Sequence, residues 1–241
     1  MRNIRETRSH EDFWFPPTDR AEWFAREDQL FLGFLMRDLT STINEALEIG
    51  VWKGGWSSFV LKNQPSVVMV GVDPYPLAGN VPATTAKFFR KAKISDRFKL
   101  VSSLDEVSAS HSFDLVHIDG LHTQDAVASD LEQCSARMSD DGVLVVDDYR
   151  HFWFPGIAAA LLNFVRDTSY CVFAVTENKA YLGRPERAAE LQNAIDERLK
   201  LTCEGLSAYR NLHDASALSR YEQDPSVHGF SPRFICSSSP R

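Results

Sequence analysis

Aspartates close two of the apolar runs in this sequence, and their types and spacing suggest chemistry. FDLVHIDGLH leaves its apolar run at Asp119, and GVLVVDDY leaves its own at Asp147 and Asp148. Three carboxylates brought to one rim repel each other unless a cation or protons intervene. Oxygen donors with no cysteine among them favour Mg²⁺, Mn²⁺ or Ca²⁺ over zinc. One of the three can instead cap a helix N-terminus, which leaves only one or two to face a ligand. His122 follows Asp119 at the start of a predicted helix, where a neutral imidazole can take a proton from a hydroxyl held near a metal. Capping that helix or joining the metal shell are the alternatives for His122. His117, inside the apolar run, reads as a satisfied core histidine.

A second group of residues suits a nucleoside-bearing cofactor. In Glu48-Ile49-Gly50-Val51-Trp52-Lys53-Gly54-Gly55, Gly50 and Gly54 let the backbone turn tightly and approach a ligand without a Cβ in the way. The segment does not match GxGxxG, which counts against NAD. Downstream, VGVDPYP places Asp73 at a strand end, where a carboxylate can accept hydrogen bonds from the cis hydroxyls of a ribose, as in NAD and S-adenosylmethionine (SAM) sites. A solvated turn aspartate before Pro74 is the plainer reading. Ser102 and Ser103, after the next strand, can contact an adenine.

These residues need a scaffold that gathers strand ends at one edge. From about Asn44, short β-rich runs alternate with helical stretches, the pattern of a parallel sheet with crossover helices. The runs are 46–49, 67–72, 99–101, 113–118, 143–146 and 171–175, and the intervening helices are expected at 57–62, 83–92, 126–138 and 157–165. Such near-continuous apolar strands suit a sheet covered on both faces. After CVFAVT, the polar pair Glu177-Asn178 and KAYLGR predict a hairpin, so the last strand runs antiparallel. The expected fold class is therefore α/β, a Rossmann-like, mostly parallel seven-stranded sheet with helices on both faces and an antiparallel last strand. In such a sheet the ligand lies beyond the carboxyl ends of the strands, where the acids and glycines above fall.

Two extensions flank this core. Residues 1–43 form an expected helical cap, with Phe13 to Phe15 followed by a helix over 20–39 on which Trp23, Phe24, Phe31, Phe34 and Leu35 recur at helical spacing. Residues 185–220 form a C-terminal helical extension, with the helix itself expected over 186–210, and 221–241 have the composition of a flexible tail. The domain between them spans 44–184.

Composition narrows the partners. The chain has 241 residues and a formal charge of −7, with 33 acidic against 26 basic side chains. That balance argues against a nucleic-acid binder, which needs a basic face for phosphates. Hydrophobic residues at 44% and charged residues at 24% are globular values. The four cysteines are scattered, without CxxC or zinc-ligand spacing, which fits a reduced, cytoplasmic setting. The polar N-terminus lacks the apolar core of a secretory signal, and no apolar run approaches membrane-spanning length.

Together, EIGVWKGGWSS, VGVDPYP, FDLVHIDGLHTQDAVASDL and GVLVVDDYRHFWFPGIAAAL resemble the class I SAM-dependent methyltransferases. They are most similar to the metal-dependent group that includes macrocin and mycinose-pathway sugar O-methyltransferases. The resemblance covers about 44–184, and that fold also ends on an antiparallel strand. It implies that Glu48 and the loop of Gly50, Val51, Trp52 and Gly54 hold the methionine part of SAM, and that Asp73 holds the ribose. It further implies that Asp119, Asp147 and Asp148 bind Mg²⁺ or Mn²⁺, with Asp119 shared between metal, cofactor and catalysis and His122 as the base. Some sugar methyltransferases carry DGDLY after the fourth strand, whereas Gly120-Leu121-His122 stands here.

The expected activity is transfer of a methyl group from SAM to a hydroxyl of a small molecule, a sugar or polyol moiety of secondary metabolism. An NAD-linked oxidoreductase and a SAM-binding, non-catalytic partner protein are the competing readings. Tyr149 to Phe154, with Trp52 and Trp56, are expected to line the acceptor pocket, because aromatic rings stack on the apolar faces of sugars. Neither nucleic acid nor membrane is an expected partner, and assembly into a homo-oligomer is left open.

Overall fold

The computed structural model describes residues 13–21, 24–40, 43–75, 79, 81–176, 178–203 and 233–234. The strands are β1 (Glu45–Ile49), β2 (Val68–Val72), β3 (Phe98–Val101), β4 (Phe113–Ile118), β5 (Met138–Val146), β6 (Cys171–Val175), β7 (Ala180–Gly183) and β8 (Arg233–Phe234). The helices are α1 (Arg26–Phe34), α2 (Gly55–Asn63), α3 (Val81–Ala92), α4 (Gln124–Ser135), α5 (Pro155–Asp167) and α6 (Pro185–Cys203). One π-helical turn, Leu35–Leu39, continues α1.

All strands form one sheet in the order β3-β2-β1-β4-β5-β7-β6-β8. β7 runs antiparallel to both β5 and β6, while the remaining neighbours pair in parallel. The hairpin expected from CVFAVT and KAYLGR thus inserts its second strand between β5 and the first. Thr176 and Lys179 close it through a backbone bond of 2.9 Å, and Glu177 of the expected turn lies outside the described residues.

The alternation of side chains along each strand separates two apolar layers. On one face Ala46, Leu115, Val143, Val145 and Tyr181 pack with Phe31, Leu32 and Leu35 of the α1 segment, with Phe59 of α2 and Phe89 of α3, and with Ala188 and Leu191 of α6. On the other, Leu47, Val116, Ile118, Leu144 and Val146 pack with Val127 and Leu131 of α4 and with Ile157 and Leu161 of α5. The helix starts are conventional: Thr123 caps α4 by accepting the Ala126 N–H at 3.3 Å, and Pro155 opens α5 where its missing N–H costs nothing.

Several expected boundaries shift. The helix expected over 126–138 stops at Ser135, because Met138 is buried and pairs with Phe113 as the first residue of a nine-residue β5. The seven expected strands with their antiparallel β7 are present, and Arg233 and Phe234 add a two-residue eighth that pairs in parallel with Ala174 and Val175. Those two residues fall in the stretch expected to be a flexible tail, and the rest of 221–241 lies outside the described residues. The N-terminal helix is shorter than 20–39; Phe24 before it, Phe31 within it and Leu35 just after it are buried as a packing face, while Trp23 lies outside the described residues. No described helix is long and apolar enough to cross a membrane.

Candidate active site

The carboxyl ends of β1, β2, β4 and β5 converge on the loop between β1 and α2. Asp119 N donates to Ile49 O at 2.8 Å, Asp147 N to Ile118 O at 2.9 Å, and Gly50 N to Val72 O at 2.9 Å. These rungs carry the register past the strand ends and set Asp119 against Gly50. Gly50 has φ +86°, and a Cβ there would fall 1.8 Å from the Asp119 carbonyl oxygen. At Gly54, with φ +76°, a Cβ would meet the Phe89 ring at 2.4 Å. Only glycine fits either position, so both take the tight turn expected from the sequence, and the close approaches there are to the Asp119 carbonyl and the Phe89 ring.

Asp73 sits at the end of β2 and binds that same loop. Its Oδ2 accepts the N–H groups of Val51 at 3.0 Å and Trp52 at 2.9 Å, and its Oδ1 accepts that of Tyr75 at 2.7 Å. A carboxylate has about four acceptor sites, so with three of them filled Oδ1 keeps capacity for one hydroxyl. Trp52 has φ +47°, and its carbonyl accepts from the Tyr75 hydroxyl at 2.8 Å. Ser103 occupies the N-cap of a short turn, where its hydroxyl accepts the Asp105 N–H at 3.2 Å, while Glu106 binds Ser102 and the Ser103 N–H. Its side chain is thus engaged in holding the turn after β3.

Glu48 and His117 occupy neighbouring positions of β1 and β4 in register and point to the same face of the sheet. Both are buried. Glu48 accepts from the Ser57 hydroxyl, and its Oε1 lies 3.4 Å from His117 Nδ1. On the other side of the ring, His117 Nε2 lies 3.3 Å from Asp147 Oδ2. Burial raises the Glu48 pKa above the usual carboxylate range. Burial alone would lower that of His117, but the bonds to Asp147 and Glu48 outweigh it and the net shift is upward. The core histidine of the sequence reading is therefore buried, as expected, yet bridges two acids of the site. Trp56, expected at the acceptor pocket, is instead buried flat against His117. It sits on the inner face of α2, which turns it into the core.

The three metal candidates do not form one equivalent set. Among the described residues, donor atoms lying within 4.8 Å of one another group as His117, Asp119 and Asp147, and as Asp119, His122 and Asp148. His122 Nε2 is 3.2 Å from Asp119 Oδ1, and its Nδ1 is 3.7 Å from Asp148 Oδ2. These three side chains are 29%, 33% and 22% exposed for His122, Asp119 and Asp148. Asp148 adopts φ +52°, an uncommon backbone for a residue with a Cβ. Partial burial and the Asp147 carboxylate push both Asp119 and Asp148 upward in pKa, and the bond to Asp119 pushes His122 upward.

One charged residue of the site escaped the sequence reading. Lys179 lies one position beyond the last β5–β7 pair, so the antiparallel register sets it opposite Asp147, to whose Oδ2 it donates. A lysine opening an otherwise apolar strand was the available signal. Around the rim, Phe152 and Trp153 are 77% and 70% exposed, and His151 stacks on Phe152 with centroids 5.3 Å apart. Phe154 reaches inward to His122, 4.5 Å between centroids.

Comparison with known proteins agrees with this geometry. Residues 47–149 match a family model described as "Methyltransferase domain". The chain is 27% identical over 130 residues to uncharacterized protein R132 of Acanthamoeba polyphaga mimivirus, a match covering half of this chain and 59% of the viral protein. In structure it is similar to the Podospora anserina methyltransferase PaMTH1 bound to S-adenosylhomocysteine (TM-score 0.57, 16% identity, 72% of this chain and 91% of that one). It is also similar to CalS11, a TDP-rhamnose 3'-O-methyltransferase of calicheamicin biosynthesis (TM-score 0.53, 18% identity, 69% of this chain and 86% of that one). The glycine loop, Asp73 and the acidic strand ends thus gather at one edge of a sheet whose residues 47–149 match a methyltransferase domain model and whose fold is that of the S-adenosylhomocysteine-bound methyltransferase PaMTH1.

Proposed function

We propose that this protein transfers the methyl group of SAM to a hydroxyl of a small molecule, a sugar or polyol moiety of a natural product, with the help of Mg²⁺ or Mn²⁺. The observation that carries the reading is the clustering of Asp119, His122 and Asp148 beside Gly50, at the strand-end rim of a methyltransferase domain. Two partly exposed carboxylates, Asp119 and Asp148, suit a hard divalent cation, which would offset the burial and the Asp147 charge that raise both of them. When bound there, the metal supplies Lewis acidity that lowers the pKa of an acceptor hydroxyl.

The chain's own residues supply alignment and proton transfer. The 50–54 loop, held by Asp73, cradles the amino-acid and ribose parts of SAM. The acceptor oxygen attacks the methyl carbon, the carbon–sulfur bond breaks to leave S-adenosylhomocysteine, and neutral His122 takes the hydroxyl proton. Much of the acceleration comes from alignment of oxygen, carbon and sulfur. The similarity to a sugar nucleotide methyltransferase and the exposed rings of Phe152 and Trp153 support a sugar-bearing acceptor. The net charge of −7 supports a small molecule over nucleic acid, and the scattered cysteines support a cytoplasmic setting.

Mass spectrometry of a panel of hydroxylated acceptors incubated with SAM and Mg²⁺ tests this. The expected result is a mass gain of one methyl group that is lost in EDTA and in Asp148→Asn, with SAM affinity kept within a few-fold. Unchanged turnover in EDTA removes the metal role. NAD binding without SAM binding removes the methyltransferase reading.

A further inference from the structure

Asp147 differs from its neighbour Asp148 in what surrounds it. Its Oδ2 is bound by the Lys179 ammonium and lies 3.3 Å from His117 Nε2, and its Oδ1 accepts the Asp148 N–H at 2.8 Å. Both oxygens are therefore engaged inside the protein. Lys179 is 1% exposed, with its Nζ 3.5 Å from His117 Nε2 and 5.3 Å above the Phe24 ring. Such a cation persists in the interior only if it is compensated. The carboxylates acting on it are Asp147 first, then Asp28 of α1 and Asp119. Three segments thus enclose one ammonium: the residue before β7 carries it, the residue after β5 neutralises it, and the N-terminal segment covers it with Phe24 and Asp28.

We propose that Lys179 is the built-in counter-cation of Asp147. Asp147 is thereby a positioning carboxylate, and the divalent cation of the proposed reaction is held by Asp119 and Asp148, which leaves His122 to act as the base. The assignment of ligands rests on the metal reading above, whereas the Lys179–Asp147 pairing does not. The pair adds no net charge to the rim, and through Oδ1 it sets the backbone of Asp148, whose positive φ aims its carboxylate at His122. The N-terminal cap acquires a role as well, since it completes the environment in which Lys179 stays charged.

Mn²⁺ binding to the full chain, followed by electron paramagnetic resonance, and melting in EDTA test the two parts. Asp148→Asn should weaken Mn²⁺ binding by about tenfold or more, because it replaces a charged ligand by a neutral one. Lys179→Met unmasks the Asp147 charge beside the site and should tighten Mn²⁺ binding by roughly three- to tenfold, the opposite of simple structural damage. Lys179→Met/Asp147→Asn removes both charges and should return to within about threefold of the wild type. A double variant that loses Mn²⁺ as Asp148→Asn does makes Asp147 a ligand and overturns the proposal. In EDTA the double variant should melt above both of its single variants, Lys179→Met and Asp147→Asn, and additive losses overturn the pairing. If the single variants do not fold, the double variant against Asp148→Asn still decides the ligand assignment. A wild type that binds no Mn²⁺ overturns the metal reading and the ligand assignment with it, while the melting cycle still decides the pairing.

Discussion

His117 lies flat on Trp56, ring centroids 4.5 Å apart and planes 11° from parallel, while its two nitrogens face Glu48 and Asp147. A ring held by stacking on one side and by acids at both edges has one orientation. It links the strand end that carries the 50–54 loop to the strand end that carries the aspartate pair.

His117→Phe keeps a ring against Trp56 but deletes both nitrogens, leaving two acids to face an apolar edge. The expected loss is roughly 3 kcal/mol, the scale for removing one partner of a buried charged pair. Because the folded pKa of His117 is raised, its contribution is full below about pH 6.5 and is lost as pH climbs through the folded value. The melting-temperature gap between wild type and variant should therefore be wider near pH 6 than near pH 9. A gap that is constant or widens with pH would contradict this assignment.

Asp130, on α4, behaves in the opposite sense. Burial pushes its carboxyl up to about 6, and its Oδ2 faces Gly120, 3.1 Å from where a Cβ would stand. A raised acid penalises the folded state once it ionises, so the penalty is absent below the ordinary carboxylate pKa of about 4 and complete above about 6. Asp130→Asn should melt roughly 2–4 °C higher than wild type at pH 8, with the difference vanishing near pH 4. A variant that is less stable at pH 8 would show that the carboxylate has a favourable partner.

Gly50→Ala places a methyl group inside the Asp119 carbonyl and forces a left-handed conformation on a residue with a Cβ, which alone costs roughly 1–2 kcal/mol. Relief of the clash must separate the β1 loop from the β4 end. SAM affinity, measured by calorimetry, should fall by about tenfold or more, because that separation opens the cofactor cradle. Wild-type affinity in a folded variant would place SAM away from this loop.

Phe152 and Trp153 carry exposed rings with little to hold them in the fold. Alanine at both positions should leave the melting temperature within about 2 °C, as expected for exposed sites. The KM for the acceptor should rise several-fold with kcat little changed, because the rings bind rather than react. An unchanged KM would remove them from acceptor recognition.

Much of this architecture is legible in the residue order because it follows from local periodicity. Continuous apolar runs closed by Glu48, Asp73, Asp119 and Asp147 specify a buried parallel sheet with acids at one edge, and the polar pair at 177–178 specifies an antiparallel return. The two glycines of the 50–54 loop follow the same logic, since a tight turn and a close approach are backbone properties that the residue type reveals.

The partners of those acids are decided elsewhere. Trp56 faces His117 rather than an acceptor because α2 turns that side inward. Lys179 meets Asp147 because β7 inserts beside β5, a pairing between segments far apart in the chain whose register no local pattern states. The sequence by itself determined the sheet, its polarity and the edge at which the acids collect. Only the tertiary structure decided which of them are neutralised from within and which remain open to a ligand, because a carboxylate's role depends on the charge that packs against it.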